Sequence, residues 1–182
     1  MTIADRSRQM KRLYIHLLHG AMLSFGGFAA CLASARFGTY SDIMILVFLA
    51  GCIGAVVNNY FRLGKMVENR AIPEGDAQER LAIVQMYASM CIAGILAFAS
   101  YGLFLGGLVG GDLFPKFEHE EKIYQGLTSL LFDFGPKTNL DAVKCVIWGF
   151  VAGFSERFVP NFIDNLIVKS NAKEGRLNYR SR

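Results

Sequence analysis

Two side chains of opposite charge stand next to each other in an apolar stretch near the C-terminal end of the chain. The stretch is KCVIWGFVAGFSERFVPNFIDNLIVK, residues 144–169, and the charged pair is Glu156 and Arg157. Because charge in contact with hydrocarbon is costly, such a pair indicates partners on other helices, water in a cavity, or a position at the membrane interface. The chemistry it would serve is ion pairing between helices, a proton relay, a pore or a binding site.

One side of this stretch gathers its small and polar residues. In a projection at about 100° per residue, that side holds Gly149, Gly153, Glu156, Arg157, Pro160, Asn161 and Asp164. The opposite side holds Phe154, Phe158, Val159, Phe162, Ile163 and Leu166. The pattern predicts a helix with a phenylalanine side toward lipid and a polar side toward protein or water. Pro160 cannot donate a backbone hydrogen bond, so the carbonyl oxygen of Glu156 also needs a partner.

Nine residues within this stretch resemble a motif of other proteins. AGFSERFVP, residues 152–160, is similar to a stretch in uncharacterised small bacterial inner-membrane proteins. The resemblance implies a multi-span protein of that membrane and brings neither an activity nor a site residue. Ser155 is faintly similar in setting to the serine of intramembrane rhomboid proteases, but its histidine partner would have to be His16 or His19 near the other end of the chain. We therefore predict no enzymatic activity, no cofactor and no bound metal.

Composition excludes a soluble globular domain. The chain has 182 residues, 53% of them hydrophobic, and the hydrophobic residues are gathered in long runs. Its net charge of +4 is carried by the ends and one loop, which is typical of orientation signals and lipid headgroup contact rather than nucleic-acid binding. The four cysteines lie in or beside the apolar runs and form no disulfide or metal-binding pattern. The expected partner is the lipid bilayer.

The apolar runs predict an all-α, polytopic membrane protein with about four transmembrane helices. The predicted spans are residues 13–35, 43–61, 81–109 and 144–167, and each is at least about as long as a bilayer requires. The third run exceeds that length, so it must tilt, kink or project from the membrane. Because only a short apolar run precedes the charges, a half-helix that re-enters the membrane is the alternative for the last segment. Residues 118–134 predict an amphipathic surface helix, and residues 169–182 form a basic tail.

Small residues at spacings of three or four mark the sides of helices that approach other helices closely. In the first run these are Gly20, Ser24, Gly27 and Cys31. The second run has the pair Ala50 and Gly54, and it ends in Asn58 and Asn59, which we interpret as a cap or headgroup contact, with pore lining as the alternative. In the third run they are Gly102, Gly106 and Gly110, interpreted as a packing surface with a hinge as the alternative.

The placement of Lys and Arg predicts that both termini are cytoplasmic in an inner (plasma) membrane. Two functions fit this layout. The first is a homo-oligomeric, channel-like or membrane-sensing assembly, in which Glu156, Arg157, Asn161 and Asp164 line water or pair across subunits. The second is a non-conducting structural or accessory subunit of a larger complex, with a protein partner at loop 62–80 or at the basic tail. Both use polar and small residues between helices, so the sequence does not separate them.

Overall fold

The described part of the chain consists of four helices. The computed structural model describes residues 3–34, 40–69, 75–117 and 135–155. Helix α1 spans Ile3–Ser34, α2 spans Tyr40–Glu68, α3 spans Asp76–Leu105 and α4 spans Asn139–Phe154. Within these residues the only β pairing is a single bridge between Phe117 and Pro136. The predicted all-α class is confirmed.

Three of the helices are long and apolar enough to cross a membrane, which confirms the membrane-protein class. The qualifying segments are Ser7–Ala33, Ile43–Glu68 and Asp76–Leu105. The described part of α4 has 16 residues, or about 24 Å, which is shorter than the roughly 30 Å of a hydrocarbon core. The predicted fourth span, 144–167, therefore lies partly outside the described residues. The predicted surface helix 118–134 and the tail 169–182 lie wholly outside them.

The helices extend beyond the apolar runs that predicted them. Helix α1 begins at Ile3, ten residues before the predicted span, α2 continues to Glu68, and α3 begins at Asp76. Hydropathy marks only the part of a helix that suits lipid, whereas polar turns can continue the same helix into the headgroups and water. Within the predicted loop 62–80, the residues up to Glu68 and those from Asp76 onward are consequently helix.

Helix α3 ends four residues before the predicted limit at 109, because glycines break it. Gly106 forms the C-cap, and its N–H donates to the carbonyl oxygen of Gly102. Gly107 and Gly111 follow with φ values of 66° and 126°, a left-handed conformation that glycine adopts at little cost. The third apolar run, which is longer than one span requires, is thus divided between a helix and a turn.

Helix α2 is the centre of the arrangement. Inside the chain, 61% of the most apolar part of α2 is buried, against 22% for α1 and 39% for α3. Helices α1 and α3 run antiparallel to it. One cluster joins Leu13 of α1 to Val56 of α2 and Met86 of α3. A second joins Val47 of α2 to Tyr101 of α3 and to Cys145 near the start of α4. Helix α4 therefore enters beside the first half of α2 and runs parallel to it.

The segment after α3 fixes the start of α4. The indole N–H of Trp148 donates to the carbonyl oxygen of Leu113 at 3.1 Å, and its ring stacks on Phe114 with centroids 5.0 Å apart. Thr138 is the N-cap and accepts from the backbone N–H of Asp141 at 3.2 Å. These contacts fix the position of the start of α4 along α2.

Candidate functional site

Only some of the residues predicted on the polar side of the last helix lie in the described part of the chain. Glu156, Arg157, Pro160, Asn161 and Asp164 lie outside the described residues. Gly149 and Gly153 belong to the described part of α4 and are both buried. They show which side of α4 is turned toward other helices of the same chain.

Both glycines of α4 lie against the backbone of α2. A methyl group added at Gly149 would lie 2.8 Å from the carbonyl oxygen of Val47. One added at Gly153 would overlap the carbonyl group of Gly51, and one added at Gly54 would lie 2.5 Å from the carbonyl oxygen of Phe150. Since no side chain fits between the helices at these positions, α2 and α4 are in direct backbone contact, the arrangement that small residues permit in membrane helices.

Three helices meet at Gly51. A methyl group there would lie 2.6 Å from both the carbonyl oxygen of Ala93 and the Cβ atom of Ala97, both on α3. The sequence interpretation missed Gly51, because it paired Ala50 with Gly54 at a spacing of four. The signal that would have found it is the spacing of three between Gly51 and Gly54. The buried side of α4 is therefore held by a junction of α2 with α3.

The other glycines predicted to pack behave differently from one another. A methyl group at Gly20 would lie 2.9 Å from the sulfur of Met90, the end of a flexible side chain on α3. Gly102 has no other atom of the described residues within 4 Å of such a methyl group, and the neighbours of Gly106 belong to its own turn. Within the described part of the chain, Gly20 thus lies at a helix contact, whereas Gly102 and Gly106 do not.

A cavity lies beside the second half of α2. It is on the same side of α2 that α4 covers in the first half of the helix. Its volume is about 520 Å³. It is lined by Tyr14, Asn58, Tyr60, Phe61, Gly64, Lys65, Glu68 and Phe154. Phe154, predicted on the lipid side, is the last helical residue of α4 and forms one wall. We call the surface formed by Asn58, Phe61, Lys65 and Glu68 the α2 groove. It combines an aromatic ring with an amide, an ammonium and a carboxylate, groups suited to an amphipathic peptide segment.

Asn59 faces α3 instead of the membrane surface. Its side chain is only 2% exposed, and its amide nitrogen donates to the hydroxyl of Ser89 at 2.8 Å. The Ser89 hydroxyl in turn donates to the carbonyl oxygen of Met86 at 3.1 Å. The interpretation of Asn59 as a cap or headgroup contact is wrong, because a buried amide between two helices requires partners there.

Ionisable groups near the start of α1 join it to α3. Glu79 is buried, and one of its oxygens lies 3.5 Å from a guanidinium nitrogen of Arg12. Nδ1 of His16 lies 3.4 Å from the hydroxyl of Tyr87, and the rings of His16 and His19 have centroids 6.2 Å apart. No group of three or more potential metal ligands occurs among the described residues. These contacts pair helices and assemble no nucleophile with a base.

At the start of α4, the hydroxyl of Thr138 donates to a carboxylate oxygen of Asp141 at 2.7 Å. This hydrogen bond is the main cause that lowers the pKa of Asp141 below its usual value, and the ammonium of Lys144 at 3.2 Å acts in the same direction. The carboxylate is therefore held in its charged form at the first turn of the helix, where the helix dipole also favours it.

Comparison with known proteins finds no matching family model, no matching curated protein and no matching solved structure. The function is therefore argued from the contacts of the helices themselves.

Proposed function

We propose that this chain is a non-conducting structural subunit of a membrane protein assembly. The observation that carries the proposal is the position of Gly149 and Gly153, whose side of α4 is occupied by α2 of the same chain at backbone distance. A helix side that is filled in this way is not available to face the axis of an oligomer.

The same observation bears on the charged pair. In the helical projection, Gly149 and Gly153 share a side with Glu156 and Arg157. If α4 keeps its direction, that side continues toward α2, and the pair serves as an interhelical packing lock. This favours the second of the two functions considered from the sequence over a channel lined by the polar side.

Other helices leave small residues uncovered, which supports assembly with further chains. A methyl group added at Gly26 of α1 or at Gly102 of α3 would meet no other atom of the described residues within 4 Å. Both glycines lie in helices that are mostly exposed along their apolar parts. Lipid packs against side chains of any size, whereas a glycine in a membrane helix permits the close approach of a second helix. We place the partner on this exposed side of α1 and α3. We also propose that the start of α1 lies on the cytoplasmic side of the membrane.

The proposal is tested by ion flux and subunit composition. We expect proteoliposomes with the native chain or with Glu156→Gln to show no flux above empty liposomes. Purification in mild detergent should yield a second chain in fixed stoichiometry. A closed ring of identical chains, with flux whose selectivity changes in Glu156→Gln, would contradict the proposal and support the channel.

A matched pair of variants tests the assigned surface. Gly102→Leu should lose the partner while the chain stays monodisperse, because no other described residue lies beside Gly102. Leu103→Phe, a change in bulk at the next exposed position, should retain it, since successive helical residues point about 100° apart. Retention of the partner by both variants would remove α3 from the interface.

A further inference from the structure

We propose that Gln9, Arg12 and Glu79 bind the headgroup of a phosphatidylethanolamine molecule at the end of the bundle where α1 and α3 begin. The headgroup ammonium donates hydrogen bonds to Glu79 and Gln9, and the headgroup phosphate lies beside Arg12. The inference is independent of the proposed function, because it concerns a lipid and no partner chain.

The site lies at the level of lipid headgroups. The apolar runs of α1 and α3 begin at Leu13 and Leu81. Gln9 precedes the first run by four residues and Glu79 precedes the second by two, distances of about 6 Å and about 3 Å along the helices. Polar side chains this close to the end of an apolar run are in reach of headgroups and not of the centre of the bilayer.

Gln9 and Glu79 lie at the same height on two parallel helices. A methyl group added at Gly20 of α1 would meet Met90 of α3, and these two residues are 70 positions apart, as are Gln9 and Glu79. Parallel helices keep such an offset, because both rise by the same distance per residue. Arg12, one turn from Gln9, contacts Glu79 directly at 3.5 Å.

Two buried oxygen atoms of the site have no hydrogen-bond donor in the part of the chain that the structure describes. The Glu79 side chain is 5% exposed, and its Oε1 is the atom that contacts Arg12, whereas its Oε2 has no partner there. The amide oxygen of Gln9 has none either. A buried acceptor without a donor is costly, so nearly all such atoms in proteins are paired. The two oxygens therefore point to a ligand that brings several N–H donors.

The Arg12 side chain covers the carboxylate and is free enough to uncover it. It is 64% exposed, and its distance of 3.5 Å from Glu79 is longer than the roughly 2.7–2.9 Å of a strong charge-assisted hydrogen bond. The guanidinium can therefore turn outward to a phosphate while an ammonium takes its place beside the carboxylate.

Arg8 and Arg12 supply the positive charge on the phosphate side of the site. Both are exposed and lie four residues apart in α1, a spacing that puts them on the same side of the helix. Like charges at this spacing repel each other, and an anion between them removes that cost. Guanidinium groups bind phosphate through two parallel hydrogen bonds.

The combination of groups selects one class of headgroup. An inorganic cation would be repelled by the two guanidinium groups. Phosphatidylglycerol brings a phosphate but no ammonium, and the choline nitrogen of phosphatidylcholine carries methyl groups and no N–H. An ethanolamine headgroup brings both the phosphate and an ammonium with three donors.

Native mass spectrometry of the full chain in mild detergent tests the inference, with phosphatidylethanolamine and phosphatidylcholine of identical acyl chains as the two probes. We expect the apparent affinity for phosphatidylethanolamine to be at least about ten times higher, because hydrogen bonds to a charged acceptor distinguish the two headgroups. Glu79→Gln should reduce this ratio to about one. The matched control is Asp76→Asn, which removes the same charge from an exposed side chain in the first turn of α3 and should keep the ratio.

Two further variants separate the two halves of the site. Arg8→Gln should weaken the binding of both lipids by a similar factor, because both carry the phosphate. Gln9→Met removes the amide oxygen and leaves Glu79 in place, so it should lower the ratio between the lipids even if Glu79→Gln fails to fold.

Equal affinity of the native chain for the two lipids would overturn the inference and show that Gln9 and Glu79 satisfy each other within the chain. A preference that survives both Glu79→Gln and Gln9→Met would overturn it too. So would tighter binding of phosphatidylglycerol than of phosphatidylethanolamine, which would leave only a basic surface. None of these results changes ion flux or subunit composition, so the proposed function is tested separately.

Discussion

The contact between Gly153 of α4 and Gly51 of α2 makes a sharp prediction about a single methyl group. Gly153→Ala places a Cβ atom against the carbonyl group of Gly51, which belongs to the backbone of a buried helix. Such an atom has no rotamer by which to move aside, so α2 and α4 must separate. We expect Gly153→Ala to destabilise the fold.

The magnitude follows from two opposing effects. Overpacking by a methylene costs about 1–3 kcal/mol, and the upper part of that range applies where the neighbour is backbone. Alanine is more favourable than glycine within a helix by about 0.5–1 kcal/mol, which offsets part of that cost. The net loss is about 2 kcal/mol, which lowers the unfolding temperature of a chain of this size by about 4–8 °C.

The free cysteines supply the assay. Cys31, Cys52 and Cys145 are buried and Cys91 is exposed. A maleimide dye that fluoresces on reaction with thiols therefore labels Cys91 at once and the other three only as the helices separate. Heating the detergent-solubilised protein with this dye reports the unfolding temperature.

The control is Gly64→Ala in α2, where the added methyl group meets no other described atom within 4 Å. It gains helix propensity without overpacking, so its unfolding temperature should rise by about 1–3 °C. Opposite signs for the two variants would support the backbone contact. A Gly153→Ala variant as stable as Gly64→Ala would refute the reasoning.

Three further predictions use the same unfolding assay. Asn59→Ala removes the hydrogen bond to α3 and should cost about 1 kcal/mol; an unchanged unfolding temperature would show that this amide contributes nothing. Arg12→Ala leaves the buried carboxylate of Glu79 without its cation, so it should cost about 1 kcal/mol more than Glu79→Gln; the reverse order would contradict the ion pair. The Thr138 hydroxyl holds the pKa of Asp141 below 3.8, so its stabilisation is present above that pH and is lost as pH falls through the lower pKa of the folded state. Thr138→Val should therefore flatten the fall in stability as the pH drops below about 4, and an unchanged slope would contradict this cause.

The sequence predicted the three long apolar helices and their order because lipid selects long uncharged runs. It placed their ends less well. Nothing in hydropathy shows that Ile3 already belongs to α1. The end of α3 at Leu105 is set by positive φ at Gly107 and by the cap at Gly106, and spacing alone had suggested a packing surface there.

Which residues contact one another depends on the tertiary structure, and the spacing of residues in the sequence does not show this. The predicted stripe of α1 includes Gly20, and the structure shows Met90 as its neighbour. The sequence predicts one role for the two asparagines that close the second apolar run, yet Asn59 is buried against α3 while Asn58 lines a cavity. One position on a helix turns a side chain by about 100°, so the neighbouring helices decide which of the two is buried.

The helical projection predicted that the small residues of α4 share one side. It did not predict which helix contacts that side. A sequence shows that Gly149 and Gly153 share a side, and it does not show whether α2 or a second copy of the chain fills it. The contact with Val47 and Gly51 supplies that information.

The central claim is that the polar side of the last segment is packed within the chain and does not line water. The most direct measurement is the labelling of Glu156→Cys by a charged methanethiosulfonate reagent in membrane vesicles, in a chain otherwise free of cysteine. Asp112→Cys is the matched control, since the Asp112 side chain is 98% exposed. The account predicts that Glu156→Cys reacts from neither side at more than about a tenth of the control rate, because charged reagents reach only residues in contact with water. Labelling as fast as the control would place Glu156 in a water-filled path and contradict the account.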